Sequence, residues 1–220
     1  MNGTILDELA ASGDGVPAAD LVERCRRTPA LLHTVSECLR SGLPQARLAA
    51  ARLLVAVAEQ RPDLGADFIK DLIETSRHPT AKLAKIGFEG LAVVVSADPA
   101  TIFAERDPLL ARARAGGPLG LGALKVLAAL CAQGPNYRGK LLPAAIRVLQ
   151  GVPAGELPKW VAALVPGCAG SEDGAKRLQR ELEPRLAELD AGARAKIERQ
   201  VVKAGRPAPA RGPGGRSVSR

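Results

Sequence analysis

Apolar residues recur at helical spacing along most of the chain, and this pattern itself repeats about every 35–40 residues. Two stretches show the repeat best: ALLHTVSECLRSGLPQARLAAARLLVAVAE, which begins at Ala30, and ADFIKDLIETSRHPTAKLAKIGFEGLAVVVSA, which begins at Ala66. Pro44 and Pro79 occupy the same place in the two stretches, and each is followed at +2 to +5 by Ala, a cation, Leu and Ala. A repeat of this length, built from two helical patterns, is typical of stacked helix pairs.

Gly and Pro residues divide the chain into predicted helices. A short helix over residues 4–12 has Thr4 as its N-cap, and a second helix runs from Pro17 to about Arg27. Pro108 predicts a break near Asp107. Five helix pairs follow residue 27, and we number them units one to five: 31–41 with 44–60, 63–77 with 79–97, 101–115 with 117–133, 140–150 with 155–169, and 174–190 with 191–205.

The helices of units one to three are apolar around much of their circumference, which is typical of helices enclosed by neighbours. The last pair is far more charged, which predicts a terminal unit with a solvated outer face. Residues 204–220 are rich in Pro, Gly, Arg and Ser, so we predict a disordered basic tail there. The predicted organisation is N-terminal cap helices over 1–27, a helical repeat domain over 28–203 and the tail over 204–220.

The stretches PQARLAAARLLVAVA and PTAKLAKIGFEGLAVVV resemble the HEAT and armadillo repeats of α-solenoids. They share a helix opened by Pro, a cation near its start and a ladder of Leu and Ala. The resemblance covers residues 28–203 and is strongest in units one and two. It implies an all-α fold, a right-handed α-solenoid of about five helix-pair (HEAT-like) repeats, in which equivalent positions of successive repeats line one face.

The composition agrees with a helical core and shows that the chain has a positive net charge. Hydrophobic residues make up 46% of the chain and aromatic residues only 2%, so the core is built from Leu, Ala, Val and Ile rather than from the residues that favour strands. The net charge is +8, and residues 21–202 carry +7 of it, because the acidic N-terminus and the basic tail nearly cancel. A basic body favours an acidic partner, although ordinary solubility charge explains it equally well.

The cysteines and the N-terminus indicate a location. Cys25, Cys38, Cys131 and Cys168 are widely spaced and form no C-x-x-C pair, which favours a reducing compartment and no zinc site. The N-terminus has acids where a signal peptide needs cations, and no apolar run reaches the length of a membrane span. We therefore predict a cytoplasmic protein without a membrane span.

One segment matches a catalytic motif in part. Residues 134–140 fit G-x-x-x-x-G-K, but Leu141 stands where a Ser or Thr would hold Mg²⁺, and Pro135 lacks an N–H. We interpret it as an inter-repeat loop that opens a helix at about Leu141. The two histidines, His33 and His78, lie in no metal or nucleophile motif. We therefore predict no enzyme activity, no cofactor, no metal and no evident small-molecule substrate.

The candidate partner-binding residues are cations near the starts of the second helices, together with one aromatic residue of a type enriched at interfaces. They are Arg47, Lys82, Lys85, Lys125, Lys159, Trp160 and Arg194. If the repeats stack, these cations form a basic stripe. The alternative is that they pair with acids of neighbouring units, such as Glu37, Asp71 or Glu74.

Three functional hypotheses follow. The first is a non-enzymatic HEAT-like scaffold that binds another protein along its concave face. The second is nucleic-acid binding, because HEAT-like solenoids similar to alkylpurine DNA glycosylases hold duplex DNA on a basic concave face. The third is an accessory or chaperone protein for an enzyme, as lyase-like HEAT proteins are for bilin chromophores.

Overall fold

The computed structural model describes residues 4–12 and 18–205, and within these ranges the chain forms helices and no strands. Two segments, Pro62–Phe68 and Leu149–Gly151, form 3-10 helices. The all-α prediction is confirmed, whereas Pro17 and tail residues 206–220 lie outside the described residues. The α-helices are α1 (Ile5–Ser12), α2 (Ala19–Arg27), α3 (Leu31–Ser41), α4 (Pro44–Gln60), α5 (Ile69–Ser76), α6 (Ala81–Val94), α7 (Pro99–Ala104), α8 (Arg106–Arg114), α9 (Gly117–Ala132), α10 (Pro135–Val148), α11 (Leu157–Cys168), α12 (Glu172–Leu186) and α13 (Ala191–Ala204).

Local sequence signals account for most helix ends. Thr4 caps α1 as predicted, because its Oγ1 accepts the N–H of Asp7 at 3.3 Å while the Asp7 carboxylate accepts the N–H of Thr4 at 3.0 Å. Helix α4 begins at Pro44, where the missing N–H has no intrahelical partner to lose. Helix α10 begins at Pro135, six residues before the predicted start at Leu141, and for the same reason.

The first helix of unit three is interrupted. Asp98 caps α7 by accepting the N–H groups of Ala100 and Thr101, both at 3.1 Å, and α7 ends at Ala104. Helix α8 begins only two residues later. This is the break that Pro108 predicts, because a proline ring clashes with the carbonyl of the residue four positions before it.

The helices pack in a regular order. The second helices of the five units, α4, α6, α9, α11 and α13, pack each on the next in that sequence, and we call them the second-helix series. Each also packs against the first helix of its own unit, and α3, α5, α8, α10 and α12 form the first-helix series. Helices α1 and α2 pack on α4.

Two glycines permit close contacts between these helices. A Cβ on Gly87 of α6 would lie 2.4 Å from the backbone nitrogen of Ser76 at the end of α5. A Cβ on Gly122 of α9 would lie 3.0 Å from the Cβ of Phe88, so tight packing between α9 and α6 explains this glycine. A side chain at position 87 would therefore push the paired helices of unit two apart.

Polar side chains connect successive units on the side of the first-helix series. Asp71 of α5 accepts a hydrogen bond from Ser36 Oγ of α3 at 2.5 Å and lies 3.5 Å from Arg40 Nε. Arg77, which follows α5, pairs with Glu105. Arg185 of α12 donates through Nη1 to the carbonyl oxygens of residues 149, 150 and 152 at 2.7, 3.1 and 2.9 Å. These contacts join residues that are about one repeat apart in sequence.

Candidate interaction surface

The exposed residues of α6, α9 and α11, the internal helices of the second-helix series, form one narrow stripe along each helix. Neighbours in the series flank α6, α9 and α11, and the first helices lie behind them, so one side of each remains in contact with solvent. The stripes follow the three-, four- or seven-residue spacing of a single helical face. Their exposed members include Lys82, Lys85 and Glu89 on α6, Pro118, Lys125 and Ala132 on α9, and Lys159 and Pro166 on α11.

Small residues surround the lysines on this side. Gly122 and Ala129 lie one turn before and after Lys125, and Ala162 and Ala163 follow Lys159; all four are partly exposed. Lys125 and Lys159 are therefore the longest side chains of their stripes. A surface of this kind can be approached closely by another chain, which then meets ammonium groups first.

Charge is distributed unequally between the two series. We call the exposed side of the second-helix series, with its charged residues, the basic face. Its helices carry the cations Arg47, Arg52, Lys82, Lys85, Lys125, Lys159, Arg194, Lys196, Arg199 and Lys203, and the anions Glu59, Glu89 and Glu198. The helices of the first-helix series carry twelve cations and eight anions. The helices of the basic face thus have about three cations for each anion, whereas those of the other series have three cations for every two anions.

Arg47 and Arg194 have a structural contact in addition to their charge. Arg47 Nε donates at 2.7 Å to the carbonyl of Gly42, the residue that follows the last residue of α3. Arg194 donates through Nε and Nη2 to the carbonyl of Leu186, the last residue of α12, at 3.2 and 2.9 Å. Each arginine is the fourth residue of a second helix and covers the end of the first helix of its own unit, where carbonyls lack helical partners.

The lysines behave differently from these two arginines. Lys85 pairs with Glu89 of its own helix at 3.7 Å, and Lys82 is exposed. Lys125 and Lys159 are exposed and form no ion pair with any residue of the described ranges. Lys125 lies more than two turns inside α9 rather than near its start, because α9 begins at Gly117.

The acids that the alternative interpretation names as partners are used elsewhere or stay in solvent. Asp71 contacts Ser36 and Arg40, both in the first-helix series. Glu37 and Glu74 are exposed, and neither forms an ion pair within residues 4–12 and 18–205. The candidate cations are therefore not neutralised by these three acids of neighbouring units.

Trp160 does not lie on the surface. It is 1% exposed, its indole Nε1 donates to Glu156 Oε2 at 3.2 Å, and its ring lies against the backbone of Gly120 in the neighbouring helix. Trp160 directly follows the exposed Lys159 in sequence. Consecutive residues of an α-helix point in directions about 100° apart around its axis, so the first can face solvent while the second lies in the core. We therefore remove Trp160 from the candidate surface.

Four cations of the basic face were missed by the repeat pattern: Arg52, Lys196, Arg199 and Lys203. The last three recur at intervals of three and four along α13, which is the signature of one helical face. That spacing is visible in the sequence, although the Pro-based repeat, which unit five lacks, does not reveal it.

The described residues offer little for other chemistry. Residues 134–140, the partial phosphate-loop match, form the N-terminal turns of α10 after Gly134. All four cysteines are buried and free, and burial raises the pKa of the Cys131 thiol to about 12 and that of Cys168 to about 11. Within residues 4–12 and 18–205, no His, Cys, Asp and Glu side chains group so as to hold a metal ion. No helix in the same ranges is long and apolar enough to cross a bilayer.

No protein-family model, curated protein or solved structure matches the chain. The function is therefore inferred from the residues of the chain itself.

Proposed function

We propose that the protein is a non-enzymatic scaffold that binds an acidic segment of another protein along the basic face. The observation that carries this proposal is the charge of the second-helix series, with ten cations and three anions on five helices that pack in chain order. In this proposal the chain is a right-handed, HEAT-like α-solenoid of five repeats, and the basic face is its concave side.

The packing order supports the solenoid. Each second helix contacts the second helix of the next unit, and each unit contains a first helix packed on its own second helix. A stack of such pairs brings equivalent positions of successive repeats into one line. The lysines of α6, α9 and α11 would then face one extended ligand at intervals of about 10 Å, the usual distance between packed helices.

The contacts of individual cations support an acidic partner. An ammonium group that is already ion-paired with a protein carboxylate gains little from a second one, whereas Lys125 and Lys159 are exposed and form no ion pair within the described ranges. Complementary charge raises the association rate and selects partners of opposite sign. The small residues around these lysines would let the backbone of a bound segment come close.

Nucleic acid is the second candidate, and the same excess of cations favours it. A duplex that places several phosphates against the basic face would release counterions and bind with strong salt dependence. The series offers these cations on neighbouring helices, as a phosphate backbone requires.

Fluorescence anisotropy with two labelled probes tests the proposal and separates the two candidates. The probes are an oligo-glutamate peptide of about 20 residues and a DNA duplex of similar charge, each titrated with the full chain at about 50 and 200 mM salt, where phosphate-driven binding falls steeply. We expect saturable peptide binding at the lower salt, at least as tight as the binding of the duplex.

Tighter binding of the duplex, with a steep loss at the higher salt, would assign the basic face to nucleic acid instead. If neither probe binds at the lower salt, the surface does not select acidic partners and the proposal is wrong. Neutral dextran of similar size is the control for crowding effects on the anisotropy.

A further inference from the structure

A cleft opens on the opposite side of the molecule, between two helices of the first-helix series. Helix α5 packs closely on α3 and α6, and α8 packs closely on α9 and α10, but α5 and α8 are not a closely packed pair, although every residue of both helices is described. The space between them has a volume of about 460 Å³. We call it the α5–α8 cleft.

The floor of the cleft is apolar. It is formed by α5, α6, α8 and α9, which contribute Ile73, Ala84, Phe88, Leu91, Leu109 and Leu119. The volume lies in the range of about 300–1,000 Å³ that is usual for small-molecule sites, which are likewise mostly apolar with a few polar groups. A hydrocarbon chain or an aromatic ring placed there would be removed from water.

The rim of the cleft is cationic. Arg112 of α8 lines it, is exposed, and forms no ion pair with any residue of the described ranges. Arg77 lies at the rim and is paired with Glu105, the acid that lines the cleft. His78 accepts the N–H of Thr80 through Nδ1 at 3.0 Å, so a neutral His78 carries its proton on Nε2 and can donate a hydrogen bond.

An apolar floor beneath a guanidinium group and an imidazole donor suits one class of ligand. We propose that the α5–α8 cleft binds a small amphiphilic anion, a hydrocarbon or aromatic body that ends in a carboxylate. The body lies against Phe88, Leu91 and Leu109, and the carboxylate meets Arg112 at the rim. This site is on the first-helix side, does not involve the basic face and is independent of the proposed function.

Decanoate is the probe, with decan-1-ol as the uncharged ligand of the same chain length. Each displaces the fluorescent anion 1-anilinonaphthalene-8-sulfonate from the full-length protein. We expect one decanoate per chain and weaker displacement by the alcohol. Arg112→Glu should raise the dissociation constant of decanoate about tenfold, the scale of one charge-assisted hydrogen bond.

Arg114→Glu is the matched control, because Arg114 is an exposed arginine of the same helix that does not line the cleft. It should change the dissociation constant by less than about twofold, since solvent screens an exposed charge outside the site. Glu105→Gln should tighten decanoate binding, because it removes the rim acid and frees Arg77. A damaged fold cannot produce that gain.

The proposal would be overturned by no saturable displacement by decanoate, by equal losses in the two arginine variants, or by no tightening in Glu105→Gln. Equal affinity for the alcohol and the acid would also exclude an anion site. Thermal unfolding of each variant, followed by circular dichroism, confirms that the compared proteins are folded.

Discussion

The two helix series have the same secondary structure but are held in place by different interactions. The internal helices of the second-helix series, α6, α9 and α11, have neighbours on all sides but one, and α9 buries Ala123, Leu124, Val126, Leu127 and Leu130 completely. Helices of the first-helix series have one open side, and polar contacts such as Ser36 to Asp71 join one unit to the next. One series is held by apolar packing on every side except its exposed stripe, the other by packing on one side and hydrogen bonds along its length.

This difference explains where unbalanced charge can accumulate. On the first-helix side, some of the cations take part in the contacts between units, as Arg40, Arg77 and Arg185 do. On the second-helix side the packing already joins the units, so lysines such as Lys125 and Lys159 have no structural partner in the described ranges. Charge that is not used in folding is what we expect at a surface that binds.

The largest expected effect is the loss of a large side chain from the enclosed series. Leu127→Ala removes a side chain that is 0% exposed in α9, and we expect a loss of about 3–5 kcal/mol in the free energy of unfolding. Leu182→Ala removes one that is 1% exposed in α12, which has fewer neighbours and can relax into the space, so we expect about 2–3 kcal/mol. Urea denaturation measures both, and equal costs would contradict the contrast between the series.

The contact between the series gives the next effect. Gly87→Ala places a Cβ against the Ser76 backbone and should cost about 2–3 kcal/mol by forcing α5 and α6 apart. At Gly139 of α10, an added Cβ would have no atom within 4 Å. Gly139→Ala should therefore raise the free energy of unfolding by about 0.5–1 kcal/mol, because Ala has a higher helix propensity than Gly. Thermal unfolding should shift in opposite directions, and a tolerated Gly87→Ala would disprove the close approach.

The hydrogen bonds of Arg185 connect α12 to the preceding unit. Arg185→Gln should lower the free energy of unfolding by about 2 kcal/mol, because it removes hydrogen bonds from a charged, largely buried group to backbone carbonyls. Arg180→Gln is the control, because Arg180 is an exposed arginine of the same helix. Chemical denaturation compares the two. If both variants are as stable as the unsubstituted protein, polar contacts do not hold the first-helix series together.

The smallest expected effect tests whether water is excluded from the interior of the second-helix series. Burial raises the pKa of its thiols Cys131 and Cys168 to about 12 and about 11, respectively. The pKa of a thiol in the unfolded chain is about 8.5. Their contribution to stability is therefore fully present below pH 8.5 and is lost as the pH rises from there towards the folded pKa. Between about pH 8.5 and 9.5, each thiol should lower the free energy of unfolding by about 1 kcal/mol.

Cys131→Ala should remove its share of this pH dependence, while Val126→Ala, a buried truncation in the same helix, should leave the slope unchanged. Urea midpoints at several pH values between about 7.5 and 9.5 measure the slope. Identical slopes for the two variants would mean that Cys131 is open to solvent.

Helical spacing and Pro or Gly punctuation were sufficient to predict the fold class and most helix ends. Pro44 and the break associated with Pro108 are examples, because their effects depend on neighbours in sequence. The same signals placed the start of α10 at Leu141 instead of Pro135, since a Gly-Pro pair opens a helix as readily as a loop. The solenoid, its handedness and the number of its repeats remain predictions.

The surface was less predictable, because a rotation of one residue changes what a helix exposes. Lys159 is exposed and its neighbour Trp160 is core, and only tertiary packing decides between them. Arg47 and Arg194 stand at the predicted position but bind backbone carbonyls at the ends of α3 and α12. The cleft between α5 and α8 has no sequence signal, because its lining comes from four helices.

The central claim is that the basic face, and not the net charge of the chain, binds an acidic partner. The most direct test compares two triple charge reversals in the full chain by anisotropy with the oligo-glutamate probe: Lys85, Lys125 and Lys159 to Glu on the second-helix side, and Arg114, Arg147 and Arg177 to Glu on the first-helix side. Both change the net charge equally, and both leave residues 206–220 intact. We predict that the first set abolishes binding and the second weakens it only slightly. Equal losses in the two proteins would contradict a dedicated binding face.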